Sequence, residues 1–130
     1  MHINTYQKTG HISPTEMKNL ILTSLDMDKA ENINCIPLAD GSALADYMIF
    51  ASGTSSRHVS ALAKRVKEKL QEQGVKGIVT EGASQCDWVV MDAGDVIVHL
   101  FRPEVRDFYN IEKMWSSPGS LDVVESQIQA

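Results

Sequence analysis

With 130 residues, 43% of them apolar and 22% charged, the chain has the composition of one soluble globular domain with enough surface to bury a core. No apolar run approaches the roughly 20 residues of a membrane span, and the N-terminus lacks the basic start and apolar stretch of a secretory signal, which argues against a membrane protein, a fibre or a disordered chain. A formal charge of −5 disfavours non-specific nucleic-acid binding, and two cysteines, Cys35 and Cys86, fit free thiols of a reducing cytoplasm better than a disulfide framework or zinc knuckle.

Residues 1–12 show no periodicity and are expected to form a flexible tail. Ser13, Pro14 and Glu16 together make a helix start: an N-cap, a proline suited to the first helical position and a capping-box glutamate. Met17, Leu20, Ile21 and Leu25 follow at helical spacing, and the helix is expected to fade over 28–32. Residues 33–38 predict a strand and Asp40-Gly41-Ser42 a turn. Residues 45–52 predict a second strand, apolar enough to be buried on both faces. Gly53-Thr54-Ser55 is a tight strand-to-helix turn in which Thr54 or Ser55 caps the next helix. That helix places Val59, Leu62, Ala63, Val66 and Leu70 on one stripe and ends at Gly74.

Three further strands are predicted at 77–81, 87–92 and 96–101, with Ala93-Gly94 turning the last two into a hairpin. Pro103 opens a short helix bearing Val105, Phe108 and Tyr109, and 111–115 predict a last helical turn. Residues 116–130, which hold no basic side chain, are expected to be an acidic, flexible tail. The expected architecture is therefore one α/β domain over 13–115, a mixed sheet of about five strands flanked by helices. Residues 45–81 form a strand–helix–strand unit, which favours a parallel crossover.

Charge is segregated along the chain. Residues 57–76 hold six basic and two acidic side chains, net +4, and 81–112 hold seven acidic and two basic, net −5. Such fields steer partners. Chemistry is harder to find. Gly53-Thr54-Ser55-Ser56 can be read as a phosphate cradle at a helix N-terminus or as simple capping. Neither a P-loop nor a dinucleotide fingerprint accompanies it, and Asp46 and Glu81 are the only acids to set beside it. His58, in the first turn of the basic helix, and His99, inside the fifth strand, have no spacing that joins them to Cys86 as a metal site. No complete catalytic set emerges, and no cofactor or metal is expected.

The hairpin is the unusual feature. Trp88, Val90 and Asp92 alternate onto one strand face and Val89 and Met91 onto the other. If the first face is open, Trp88 and Val90 form an apolar patch rimmed by Asp87, Asp92 and Asp95, the composition of an interface hot spot. If it is covered, Trp88 is core, and periodicity alone leaves both readings open.

Several motifs in a fixed order carry a family resemblance. They are Ala45-Asp46-Tyr47, Ala51-Ser52-Gly53-Thr54-Ser55, Arg57-His58, Glu81-Gly82, Asp87-Trp88-Val89-Val90-Met91-Asp92, Gly94-Asp95-Val96-Ile97-Val98-His99 and Arg106-Asp107-Phe108-Tyr109-Asn110-Ile111-Glu112-Lys113-Met114-Trp115. The chain resembles the ribosomal silencing factors, or Iojap-like proteins, over about residues 15–115. That resemblance implies a nucleotidyltransferase-like fold without catalytic carboxylates. It implies a non-enzymatic protein that binds the large ribosomal subunit through ribosomal protein L fourteen, blocks joining of the small subunit and represses translation when nutrients are scarce. Members are often dimers when free. The implied contact maps onto Trp88 and Val90, with Asp92 and Asp95 shaping the hairpin. Asp46, Gly53, His58, His99, Arg106, Tyr109, Glu112 and Trp115 are expected to support it. One departure is Ala93, where the family often has a bulkier residue. The +4 helix either faces ribosomal RNA or is simply solvated. The competing reading is a nucleotide-binding protein or nucleotidyltransferase that uses the Gly53–Ser55 turn.

Overall fold

The computed structural model describes residues 12–38, 44–110 and 113, and the side chains of Phe108 and Tyr109 are excepted. The two expected tails (1–11 of the first, all of 116–130), the turn at 40–42 and all but Lys113 of the expected turn at 111–115 lie outside these residues. In chain order the elements are α1 (Pro14–Met27), β1 (Glu31–Pro37), β2 (Tyr47–Ser52), α2 (Ser56–Glu72), β3 (Val79–Glu81), β4 (Trp88–Asp92), β5 (Val96–Phe101) and α3 (Pro103–Tyr109).

The first helix begins as its sequence dictates. The Ser13 hydroxyl accepts the Glu16 amide at 3.0 Å and the Glu16 carboxylate accepts the Ser13 amide at 2.9 Å, a complete capping box with Pro14 just inside it. The helix stops at Asp28, and Lys29 takes a left-handed φ of 65° that turns the chain into β1. In α2, Ser55 is the cap, accepting the His58 amide at 3.1 Å, and Val59, Leu62, Ala63, Val66 and Leu70 are all buried.

The five strands form one sheet in the order β1-β2-β5-β4-β3. β2 and β5 are parallel, and the β1–β2, β4–β5 and β3–β4 pairs are antiparallel. The expected mixed five-stranded sheet is thus present. The crossover differs in one respect. β3 runs in the same direction as β2, but β5 and β4 stand between them. The physical reason is burial: all six residues of β5 are buried and claim the centre, whereas three-residue β3 with exposed Val79 suits an edge. β1 also starts two residues earlier than expected. Asn32, at φ 50°, makes a bulge between Glu31 and Asn34 that lets pairing resume.

Each face of the sheet carries its own apolar cluster. Ile49, Ala51, Val89, Met91, Val98 and Leu100 pack with the stripes of α1 and α2. Ile36, Met48, Phe50, Ile97 and Phe101 form the second cluster, with Trp88, Val90 and Val105 partly buried against it. The short helix α3 is pinned by Arg106, whose guanidinium donates to the Asn32 carbonyl at 2.7 Å and the Ser52 hydroxyl at 2.9 Å. Ser52 is buried, so Arg106→Ala strands its hydroxyl, while the exposed Asn32 carbonyl passes to water. The expected loss is about 2 kcal/mol of unfolding free energy. Urea denaturation checks it, and an unchanged midpoint would show the pin to be inert.

Candidate functional site

Strand register settles which face Trp88 occupies. Trp88 pairs with Phe101, Val90 with His99 and Asp92 with Ile97, all on the face away from α1 and α2. β3 continues this face with Glu81 opposite Val90 and Val79 opposite Asp92. Trp88 and Val90 are half-buried, while Val79, Glu81 and Asp92 are exposed. The result is an apolar strip running from Trp88 across Val90 toward Val79, edged by carboxylates. Neither open reading of Trp88 was sufficient alone: its ring packs on Phe101 at 5.2 Å between centroids and still keeps exposed surface.

The rim is organised by backbone and side-chain hydrogen bonds. Asp92 Oδ1 accepts the Gly94 amide at 2.9 Å, and Gly94, at φ 95°, opens a tight turn closed by the Ala93 amide on the Val96 carbonyl at 3.0 Å. The turn therefore centres on Gly94-Asp95, one residue beyond the Ala93-Gly94 expected. A positive φ at the first central residue matches the twist of the hairpin. The Asp95 carbonyl accepts both the Asp46 amide at 2.8 Å and the Tyr47 amide at 3.2 Å, which brings Asp46 and Asp95 together. Ala93 is buried in the cluster under the helices. The departure expected at this position thus concerns a side chain off the Trp88 face.

Arg102 was not anticipated. Its guanidinium binds Asp87 at 3.1 Å and also Glu104, and its amide donates to the Asp87 carbonyl at 3.0 Å. Hydrogen bonding and charge from Glu104, then from Asp87, raise its pKa further. Asp87 is thus a partly neutralised member of the rim. Nothing in the sequence near Arg102 marks its bond to Asp87, because that partner lies 15 residues away across the hairpin. His99 is 9% exposed and lies diagonal to Trp88. Burial lowers its pKa to about 4, so the imidazole is neutral at pH 7.

The helix start at Gly53 is used internally. The Thr54 amide donates to His58 Nδ1 at 2.9 Å, the His58 amide is taken by Ser55 and the Val59 amide by the Ser55 carbonyl. His58 Nε2 reaches the Asp28 carbonyl at 2.9 Å and ties α2 to the end of α1. A β-carbon on Gly53 would stand 2.8 Å from Val59 Cγ2, so glycine serves close packing there. These bonds show the capping role of the turn, with Ser55 as the cap and His58 tied to the Thr54 amide. The two acids considered beside it are also displaced: Asp46 precedes β2 while Gly53 follows it, about 20 Å away along a strand of this length, and Glu81 sits on the edge strand. Gly53 and His58 support the fold at the start of α2, which abuts the rim: the Gly53 amide donates to the Phe101 carbonyl at 2.9 Å and the Ser56 hydroxyl to Asp87 at 3.4 Å, and Arg106 fastens α3 to β1 and β2. The Tyr109 side chain, Glu112 and Trp115 lie outside the described residues.

Among the described residues no three His, Cys, Asp or Glu side chains gather as a metal site, and no helix is long and apolar enough to cross a membrane. Cys35 and Cys86 are unpaired thiols, and burial raises the Cys35 pKa against the lowering effect of Lys18.

Comparison with known proteins agrees with this architecture. The sequence profile of a family described as "Ribosomal silencing factor during starvation" matches residues 11–130. The chain is 47% identical over 116 residues to the ribosomal silencing factor of Zymomonas mobilis, spanning 88% of this chain and 86% of that one. Crystal structures of a protein from Chromobacterium violaceum and of one from Bacillus halodurans superpose with TM-scores of 0.77 and 0.69. They are 39% and 37% identical and cover 82% and 78% of this chain, and 90% and 95% of theirs. Profile, sequence and fold agree, and the chain belongs to the ribosomal silencing factor family.

Proposed function

We propose that this chain represses translation by occupying the large ribosomal subunit, with ribosomal protein L fourteen as its direct partner, so that the small subunit cannot join. The observation that carries the reading is the half-exposed Trp88–Val90 strip with Asp87, Glu81, Asp92 and Asp95 around it. Ribosomal proteins at RNA surfaces are generally basic, and an acid-edged apolar strip complements such a surface in charge while supplying a desolvated centre. A contact of about 800 Å² per partner is a standard interface, and obstruction of that size needs occupancy and no turnover. The mechanism is steric: Trp88 and Val90 anchor, the Asp92–Asp95 turn sets the rim, and the bulk of the domain stands where the other subunit docks. The working place is the cytoplasm. The same apolar strip suits pairing with a second copy when no ribosome is bound, and the basic residues of α2 are available to nearby RNA phosphates.

Sedimentation of mixed ribosomal subunits tests the reading. Joined ribosomes are expected to fall when the protein is added. Trp88→Ala is expected to weaken binding to large subunits by about 2 kcal/mol, roughly 30-fold. Because Trp88 also packs on Phe101, Val90→Ala is the companion variant, with a smaller loss in the same direction. Full subunit joining in the presence of saturating protein would sink the proposal. Tight calorimetric binding of ATP or GTP with Mg²⁺ would favour the nucleotide reading instead.

A further inference from the structure

The indole nitrogen of Trp88 donates to Nδ1 of His99 at 3.1 Å. To accept, Nδ1 must carry a lone pair, so the imidazole is neutral with its proton on Nε2. The ring has little freedom to turn away. It stacks on Phe50 at 4.9 Å with 13° between planes, and lies 5.9 Å and 11° from Phe101. Phe50 and Phe101 are themselves fully buried. The acceptor is therefore a fixed point in the second apolar cluster, set before any partner arrives.

We infer that His99 is a positioning residue for the docking face: its Nδ1 holds the Trp88 indole with the nitrogen turned inward, so that Trp88 meets its partner through carbon alone and fits an apolar slot that offers no hydrogen-bond acceptor. This rests on the docking role proposed for Trp88. The physical case has two parts. An indole has one polar atom, and in a desolvated interface that N–H needs an acceptor from one side or the other. Here the acceptor comes from within the chain, 11 residues away across the hairpin. The bond also restricts the indole's rotation, which lowers the ordering cost of association.

Three substitutions separate the acceptor from mere packing. His99→Phe keeps the stack with Phe50 and Phe101 and removes the acceptor, His99→Leu removes both, and His99→Asn places an amide oxygen near the position of Nδ1. Two readouts are taken: affinity for isolated large ribosomal subunits, and solvent exchange of the Trp88 indole N–H by NMR, assigned by its loss in Trp88→Phe. In His99→Phe and His99→Leu the N–H is expected to exchange faster and affinity to fall roughly tenfold, about one hydrogen bond's worth. His99→Asn is expected to restore both. Wild-type affinity in either apolar variant, with the slow N–H exchange gone, would overturn the inference, as would weakened binding that His99→Asn leaves unrestored. If His99→Phe does not fold, His99→Leu decides. Wild-type affinity in Trp88→Ala as well would bring down the docking site itself, an outcome distinct from failure of His99 alone.

Discussion

Gly82→Ala is expected to lower the unfolding free energy by about 3 kcal/mol and the melting temperature by about 10 °C. Two causes act together. Gly82 has φ of 84°, a left-handed conformation that costs an L-residue about 1 kcal/mol. A β-carbon built there would also stand 2.2 Å from the Trp88 carbonyl oxygen, so the start of β4 must move. Gly77→Ala is the control. Its φ is 72° and a β-carbon added there would meet no atom within 4 Å, so only the conformational cost of about 1 kcal/mol is expected. Urea unfolding of both variants separates the two causes, and equal losses would show that the clash relaxes freely. Since the displaced atom belongs to Trp88, the damage is expected to reach the proposed docking face as well as the melting curve.

The second large effect is acid destabilisation through His99. In the unfolded chain its pKa returns to 6.5, while in the folded chain burial lowers it to about 4. Between these values the unfolded state holds more protons than the folded one, so stability rises with pH across that window. The contribution is complete above pH 6.5, is lost as pH falls toward 4 and is flat below it. A span of about 2.5 pH units corresponds to about 3 kcal/mol. His99→Asn removes the titrating group, so the slope between pH 6.5 and 4.5 is expected to be shallower in the variant. Superimposable slopes would place the acid sensitivity elsewhere, in the carboxylates.

Much of this architecture is legible in the sequence because its causes are local. Ser13, Pro14 and Glu16 announce α1 through a capping box that needs only neighbours. The stripe from Val59 to Leu70 announces the buried face of α2. What escapes is set by distance. The bulge at Asn32 depends on an asparagine taking a left-handed turn that its neighbours do not demand. The place of β3 depends on β4 and β5, which follow it in the chain, entering between it and β2. The open side of β4 cannot be read from alternation, because Val89 and Met91 are as apolar as Trp88 and Val90; it is decided by where α1 and α2 pack. Likewise nothing in the sequence around His58 shows that its ring bridges the Thr54 amide and the Asp28 carbonyl, which lies 30 residues away. The Trp88–Val90–Asp92 alternation was visible, whereas the partners that hold it, Arg102 on Asp87 and His99 on Trp88, join residues 15 and 11 positions apart.

The Asp95 carbonyl has a kinetic meaning. By accepting the Asp46 and Tyr47 amides, it clamps the tip of the hairpin to the head of β2, whose remaining residues, Met48 to Ser52, are buried. A loop tip is ordinarily the most mobile part of a hairpin, and a partner would have to wait for it or reshape it. A clamped tip lets encounter proceed as rigid-body docking, without a conformational step in the rate. On the proposed docking role, association is expected to be governed by how the acidic rim steers a basic partner and to slow as salt rises, while substitutions at Trp88 and Val90 are expected to shorten the lifetime of the complex.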